Sequence, residues 1–245
     1  MAKEKTCLID SDILFFKFAF RNESSIDWGD GESNVADADK AISDFDSFIE
    51  YLLERTGCQK AMLCMTHAIN FRYSVLPTYK HNRADRVPPS LIKTLREHAW
   101  MQYDCKRVKW LEADDIMGVM GSKDPDRYVV ATIDKDLMSV PCTLFNWNND
   151  RKPRRISLKE ADYWFHYQWL TGDAVDGYTG VPRVGPAKAQ AILEHPQEQW
   201  LELILEKYAE KCFTYEELLA QARVARILRY GEYDFKNKEV ILWCP

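Results

Sequence analysis

The sequence predicts an α/β protein in which helices flank a mostly parallel central sheet, with a helical C-terminal part. Two observations carry this. Up to about Ser157, short apolar runs alternate with amphipathic stretches, the pattern of strands joined by crossover helices. After Ser157 the strand-like runs stop and helical spacing takes over. A third observation places the function. Nine carboxylates stand in four short clusters: Asp10 with Asp12, Glu112 with Asp114 and Asp115, Asp134 with Asp136, and Asp173 with Asp176. Asp10, Glu112 and Asp134 each follow a predicted strand, and ligands of parallel sheets bind beyond the carboxyl ends of the strands.

Each element has its own reason. Thr6 to Ile9 is short, apolar and followed by Asp-Ser-Asp, so it reads as a buried strand feeding a helix through Ile13, Leu14, Phe16 and Phe20. Asn22 to Asp39 is rich in Asp, Glu, Ser and Gly and is expected to be a loop. From Lys40 to Arg55, apolar residues such as Phe45, Ile49 and Leu52 recur at helical spacing until Gly57 stops them. Lys60 to Met65 is the second strand. After a long connection containing Pro77 and Pro88-Pro89, the segment Pro89 to Tyr103 reads as a helix. Val108 to Leu111 is expected to be the third strand, leading into a helix from about Asp114. Tyr128 to Ile133 and Thr143 to Trp147 are the fourth and fifth strands. Leu158 to Leu170 is an aromatic-rich helix, Gly172 to Pro186 a Gly- and Pro-rich turn, and helices follow around Ala187–Leu193, Glu198–Tyr208 and Tyr215–Arg229. The expected division is therefore an α/β core over 1–156, carrying a short basic arch at about 72–105, and a helical region over 157–245 packed on it.

Composition narrows the class. At 46% apolar and 29% charged, the chain has the make-up of a globule that buries a core. No stretch of about 18 uninterrupted apolar residues exists, so no transmembrane helix is expected, and the polar start into a strand leaves no signal peptide. Seven cysteines without a CxxC pair suit a reducing, cytoplasmic setting. The net charge of −5 argues weakly against a nucleic-acid partner, but it averages over opposed regions. Pro77 to Trp110 holds eight Lys/Arg against three Asp/Glu, a local +5, and Arg151, Lys152, Arg154 and Arg155 form a second basic run. Basic walls beside an acidic centre suit phosphodiester chemistry: the walls take backbone phosphates and cations mask the acids.

Gathered carboxylates repel one another, and divalent cations with oxygen ligands relieve that repulsion. Paired metals would hold both the attacking and the leaving oxygen of a phosphodiester. Local alternatives exist for each cluster. Acids in the first turn of a helix, as in Leu-Glu-Ala-Asp-Asp-Ile at 111–116, complement the helix dipole, and Asp in a turn, as at 134–136, bonds its own backbone. The string from Gly172 to Ala189 is the most specific. Gly-Val-Pro-Arg-Val-Gly-Pro builds a tight turn with Pro186 at a first helical position, whose N–H groups would face a phosphate. Arg183, Gly185 and Lys188 are candidate contacts to a duplex backbone, indifferent to sequence, and the turn's carbonyls are candidates for a monovalent cation. In the basic connection, Lys80 and Arg83 are three apart and share a face suited to charge on a transferring phosphate, while Tyr79 is a candidate base-stacking residue. The five histidines are scattered with no zinc-like spacing.

Taken in order, these motifs resemble the flap endonuclease / 5′-nuclease family (PIN-like), most nearly its compact bacteriophage 5′-3′ exonucleases. The strand-end Asp10, Tyr-Lys-x-x-Arg at 79–83, Glu-Ala-Asp-Asp at 112–115, Asp-Lys-Asp at 134–136, and Gly-Asp-x-x-Asp running into Gly-Val-x-x-Val-Gly all correspond. The resemblance implies a PIN-like nuclease core with a helix–three-turn–helix element at about 170–195. It implies a two-metal, Mg²⁺- or Mn²⁺-dependent 5′-3′ exonuclease or flap endonuclease acting on DNA with a 5′ end, overhang or flap, as a monomer without a membrane. One metal would lie near Asp10, Glu112 and Asp114. A second would be held by Asp134, Asp136 and Asp173, with Asp176 and Asp115 direct or through water. Lys80 and Arg83 would be the catalytic basic pair, Arg72 a phosphate contact, and K⁺ would sit at Val181 and Val184. The chain departs from the family at His67, where an Asp usually precedes the Asn-Phe-Arg of 70–72. Two other readings stay open: a PIN-like ribonuclease acting on RNA or an RNA–DNA hybrid, and a structure-specific DNA-binding protein whose catalysis is weakened by His67.

Overall fold

The computed structural model describes residues 4–27, 32–83 and 87–245. Its strands are β1 (Thr6–Asp10), the pair β2 (Glu23–Asp27) and β3 (Glu32–Ala36), β4 (Lys60–Met65), β5 (Asp104–Arg107), β6 (Tyr128–Ala131), β7 (Thr143–Phe145), β8 (Arg154–Arg155), and the pair β9 (Tyr233–Asp234) and β10 (Glu239–Val240). Its helices are α1 (Ser11–Arg21), α2 (Ala38–Thr56), the single turn α3 (Arg72–Val75), α4 (Leu91–Gln102), α5 (Ala113–Lys123), α6 (Leu158–Thr171), α7 (Pro186–Leu193), α8 (Trp200–Ala209) and α9 (Tyr215–Ala225).

The central sheet has the order β5-β4-β1-β6-β7-β8, parallel throughout except for β8. The strand order reverses at β1, whose neighbours β4 and β6 lie on either side of it, so a crevice opens beyond its carboxyl end. Alternation explains why β1 is buried along its whole length. Cys7 and Ile9 face the core built with α1, α2 and α4, and Leu8 faces the core built with α5. The second core also takes in Ile227, Leu228 and Tyr233, so the chain returns to the α/β part after α9. A third core, around Trp169, Trp200 and Tyr208, joins α6 to α9. No helix of the described residues is long and apolar enough to cross a membrane.

Two expectations are corrected. The third central strand is Asp104–Arg107, not Val108–Leu111. It is an edge strand, where charged side chains are tolerated because one side of the ladder faces solvent. The apolar run that imitates a strand instead carries fully buried Leu111 into α5. The Asn22–Asp39 segment is not all loop, because β2 and β3 form an antiparallel hairpin in it. Its polar composition hides the pairing.

Glycine makes the Gly172–Pro186 turn possible. Gly172 and Gly180 both have positive φ (67° and 60°), and their backbones nearly touch: a Cβ on Gly180 would lie 2.3 Å from the Gly172 nitrogen. Gln221 of α9 locks the approach, its Oε1 accepting the N–H groups of Thr179 (3.0 Å) and Gly180 (3.1 Å). Gly177 (φ 77°) does the same toward the basic connection, where a Cβ would sit 2.6 Å from the Thr78 carbonyl oxygen.

Candidate active site

A cleft of about 930 Å³ opens over the carboxyl ends of β1, β4 and β6. Eight of the nine clustered carboxylates line it, all but Asp115. The acids arrive from four places. Asp10 ends β1 and caps α1, accepting the Ile13 N–H at 3.4 Å. Glu112 caps α5, and Asp114 lies in its first turn. Asp134 caps the 3-10 turn Lys135–Ser139 and accepts the Asp136 N–H at 2.8 Å. Asp173 opens the glycine-rich turn, its Oδ1 accepting the N–H groups of Val175 (2.7 Å) and Asp176 (3.3 Å). The expected Asx turns and dipole caps are therefore present, and they aim the same carboxylates into one cleft.

Electrostatics separate two sets. Burial, then Asp12, pushes Asp10 up to about 7, against a hydrogen bond from Thr132 Oγ1 (2.9 Å). Burial, then Asp134 and Asp173, pushes Asp136 up to about 7. Asp136 Oδ1 is also buried with no hydrogen-bond partner, a costly state for a carboxylate oxygen. Burial together with Asp10 and Asp134 raises Asp114 well above the carboxylate range. In each, burial and like charges outweigh the nearby cations, Lys80 beside Asp114 and Lys135 beside Asp136. Glu112 is the reverse: burial opposes its ionisation, yet Arg72 and Lys80 hold it down to about 2. Its Oε1 accepts from Lys80 Nζ at 2.7 Å, and its Oε2 accepts from Tyr79 OH at 2.9 Å and Arg72 Nη1 at 3.2 Å. Burial works against the charge on Lys80, but Glu112 and Asp176 raise its pKa above the ordinary lysine value.

An orphaned carboxylate oxygen and mutually repelling acids fit hard divalent cations, whose ligands are oxygens. Among the described residues, no group of three or more His, Cys, Asp or Glu side chains is gathered closely enough to hold a metal ion by itself. The acids instead ring an open cleft, and Mg²⁺ typically keeps several waters and uses only one or two carboxylates plus substrate oxygens.

Three expected residues have other work. Arg72, read as a phosphate contact, is only 2% exposed. Its guanidinium donates to both oxygens of Asp115 (2.7 Å each) and to the carbonyls of Val224 (3.0 Å) and Arg226 (2.7 Å), so although Arg72 borders the cleft its donors are taken by the protein. Tyr79, read as a base-stacking residue, is likewise 2% exposed, with its hydroxyl donating to Glu112 and, at 3.3 Å, to Asp176. Asp115, read as a metal ligand, is fully buried and takes Arg72 together with the N–H groups of Glu112 (3.1 Å) and Leu228 (3.2 Å). A signal for Asp115 was available, since the fourth residue counted from an N-cap is where a capping box closes.

Lys80 lines the cleft with the acids. Arg83 lies in the turn His81–Arg83, and its side chain is outside the described residues. His67 lines the cleft, its Nδ1 accepting the Ile69 N–H at 3.0 Å. Arg183 (φ 67°), Gly185 and Lys188 sit where the glycine-rich turn enters α7, with Lys188 Nζ donating to the Arg183 carbonyl at 3.2 Å. Val181 and Val184 are buried at the same turn, where the Val184 N–H donates to the Val181 carbonyl at 3.0 Å. Sequence reasoning missed Thr132, which pins Asp10 and accepts the Asp134 N–H at 3.0 Å, because a buried threonine after a strand looks like any other. It also missed that the glycine-rich turn docks on the basic connection, where the Lys80 N–H donates to the Asp176 carbonyl at 2.9 Å.

No family model matches the chain. An exonuclease of Escherichia phage T7 is 28% identical over 223 residues, covering 75% of this chain and 73% of the phage protein. An exodeoxyribonuclease of Enterobacteria phage T3 is 28% identical over 224 residues with the same coverage. Among solved structures, the bacteriophage T5 flap endonuclease in a pseudo-enzyme–product complex with DNA and metal ions has a similar fold. Its TM-score is 0.62 at 17% identity, over 91% of this chain and 89% of that one.

Proposed function

We propose, from its similarity to the phage exonucleases and from the cleft's residues, that this chain is a metal-dependent deoxyribonuclease of the 5′-nuclease kind, cutting phosphodiesters at or near 5′ ends as a 5′-3′ exonuclease or flap endonuclease. The observation that carries the reading is the convergence of eight carboxylates on one cleft with Lys80 at its wall. Asp10 and Asp114 would hold one divalent ion, with Glu112 shared between that ion and the cations it already binds. Asp134, Asp136 and Asp173 would hold a second, with Asp176 direct or through water. Mg²⁺ or Mn²⁺ bound there would supply an activated water and neutralise charge on the phosphoryl oxygens.

The chain's own residues supply the rest. Lys80, kept charged by Glu112 and Asp176, stands ready for negative charge building on the phosphate, and Arg83 closes the turn that follows it. Arg72 and Asp115 hold Glu112 and the start of α5 in place. The turn from Gly180 to Lys188 would grip duplex DNA by its backbone through Arg183, the Gly185 N–H and Lys188, with K⁺ at the Val181–Val184 turn. This sets orientation and no base preference. The protein would work as a monomer in the cytoplasm.

The test uses 5′-labelled and 3′-labelled duplex and flap DNA with Mg²⁺. The expected result is short labelled products from the 5′ end, lost with EDTA. Products arising from the 3′ end, or intact DNA in Mg²⁺ and Mn²⁺, would overturn the reading.

A further inference from the structure

The cleft has a basic wall that the chemistry above leaves unused. Arg96 of α4 and Arg107 at the end of β5 both line it, on the β4–β5 side of β1. Asp134 and Asp136 follow β6 on the other side. Each arginine is braced from behind. The Arg96 guanidinium carbon lies 5.7 Å from the Phe15 ring centroid, and that of Arg107 lies 5.7 Å from the Trp100 ring centroid. Asp12 aims Arg96: its Oδ2 accepts the Thr66 N–H at 2.8 Å, and its Oδ1 accepts from Arg96 Nη2 at 3.4 Å. One long contact occupies little of a guanidinium with five N–H donors, and the Arg96 side chain is still 47% exposed. Braced, forked and partly solvated arginines suit a phosphate, which they hold bidentately where lysine gives only a point charge.

Direction along the strand follows from the proposed function, on which this step rests. The helix α6, which leads into the glycine-rich turn, packs on the turn Lys135–Ser139 that follows β6; if the Gly180–Lys188 turn grips the duplex, the strand being cut enters from the β6 side, and the part 5′ of the scissile bond falls toward β5. We propose that Arg96 and Arg107 bind the phosphate on the 5′ side of the bond to be cut, which on an exonuclease substrate is the terminal 5′-phosphate. Asp12 is then a positioning residue for Arg96.

The experiment compares duplexes identical except for a 5′-phosphate or a 5′-hydroxyl, measuring KM and kcat for the unaltered protein, Arg96→Gln and Arg107→Gln. Expected is a KM about tenfold lower for the phosphorylated end, the scale of one charge-assisted contact. Each substitution should erase most of that advantage without moving kcat or the KM of the hydroxyl end. Arg96→Lys should recover part of it. Equal KM values for the two ends in the unaltered protein, or substitutions that weaken both ends alike, would overturn the inference. Fluorescence anisotropy of the same two duplexes in Ca²⁺ repeats the comparison without turnover. A protein that cuts neither duplex therefore refutes the nuclease reading, while the anisotropy ratio still decides the role of the two arginines. Both side chains are exposed, so a melting curve suffices to confirm folding.

Discussion

Asp114 and Asp115 are neighbours in one helical turn, and they belong to opposite kinds of buried charge. Around Asp115 everything is paired: Arg72 bridges it to Glu112, backbone N–H groups fill its remaining acceptor sites, and Tyr79 and Lys80 complete Glu112. Around Asp114 the neighbours are Asp10 and Asp134, and across the cleft Asp136 keeps an oxygen with no partner. The first cluster is a scaffold whose charges cancel. The second is unstable by itself and becomes sensible once cations arrive. Folded proteins seldom keep such strain except where it serves a site.

The largest expected effect probes the unpaired set. Asp114→Asn or Asp136→Asn should lower turnover by about 10³-fold, since each removes a fixed charge at the reacting centre. The same substitutions relieve like-charge repulsion, so the melting temperature without metal should rise rather than fall. Turnover that survives both changes would place the chemistry elsewhere.

Next comes the paired set. Arg72→Met strands Asp115 as a buried charge, and breaking a buried pair from one side costs about 3–5 kcal/mol. Urea unfolding should show that loss, and Asp115→Asn a similar one. A near-neutral result would mean that Arg72 is more open than its 2% exposure states, and would restore it as a phosphate contact.

How much of this contrast was legible in the chain? The placement of Asp10 and Asp134 was, because a short apolar run ending in Asp fixes both a strand and its carboxyl end. The glycine-rich turn was also legible, since Gly172 and Gly180 tolerate a conformation that side chains resist. The division of labour between Asp114 and Asp115 was not. It depends on which face of α5 meets Arg72, a residue 43 positions away in sequence. The burial of Arg72 and Tyr79 was hidden for the same reason: a basic or aromatic residue in a polar connection looks exposed until α9 covers it. The third strand was misplaced because an edge strand needs few apolar residues, while the segment beside it is apolar enough to send Leu111 into the core.

The two sets also differ in pH response. Asp10 and Asp136 are raised to about 7, so the folded protein holds protons there that the unfolded chain has already lost. Metal-free stability should therefore fall as pH rises from about 4 to about 7. Glu112 acts in a different window: lowered to about 2, it adds stability above the ordinary carboxylate range and gives it up only as pH falls toward 2. Divalent ions must displace the protons on Asp10 and Asp136, so the melting-temperature gain from Mg²⁺ should be larger at about pH 8 than at about pH 6. An equal gain at both would uncouple cation binding from these carboxylates.

The smallest effect separates scaffold from substrate contact at Tyr79. Burial, reinforced by Glu112, keeps its hydroxyl protonated and able to donate. Tyr79→Phe keeps the ring and loses the hydrogen bonds to Glu112 and Asp176, so it should cost about 1 kcal/mol of stability. Tyr79→Leu also removes an aromatic ring that packs edge-on against Tyr73 and should cost more. If the residue only supports Glu112, DNA affinity per folded molecule stays constant through both changes. A stacking role predicts the opposite pattern, in which Phe binds DNA normally and Leu loses about 1–3 kcal/mol of affinity. Anisotropy with a short duplex, set beside urea midpoints for the same two variants, distinguishes these patterns because a buried strut alters folding and leaves binding alone.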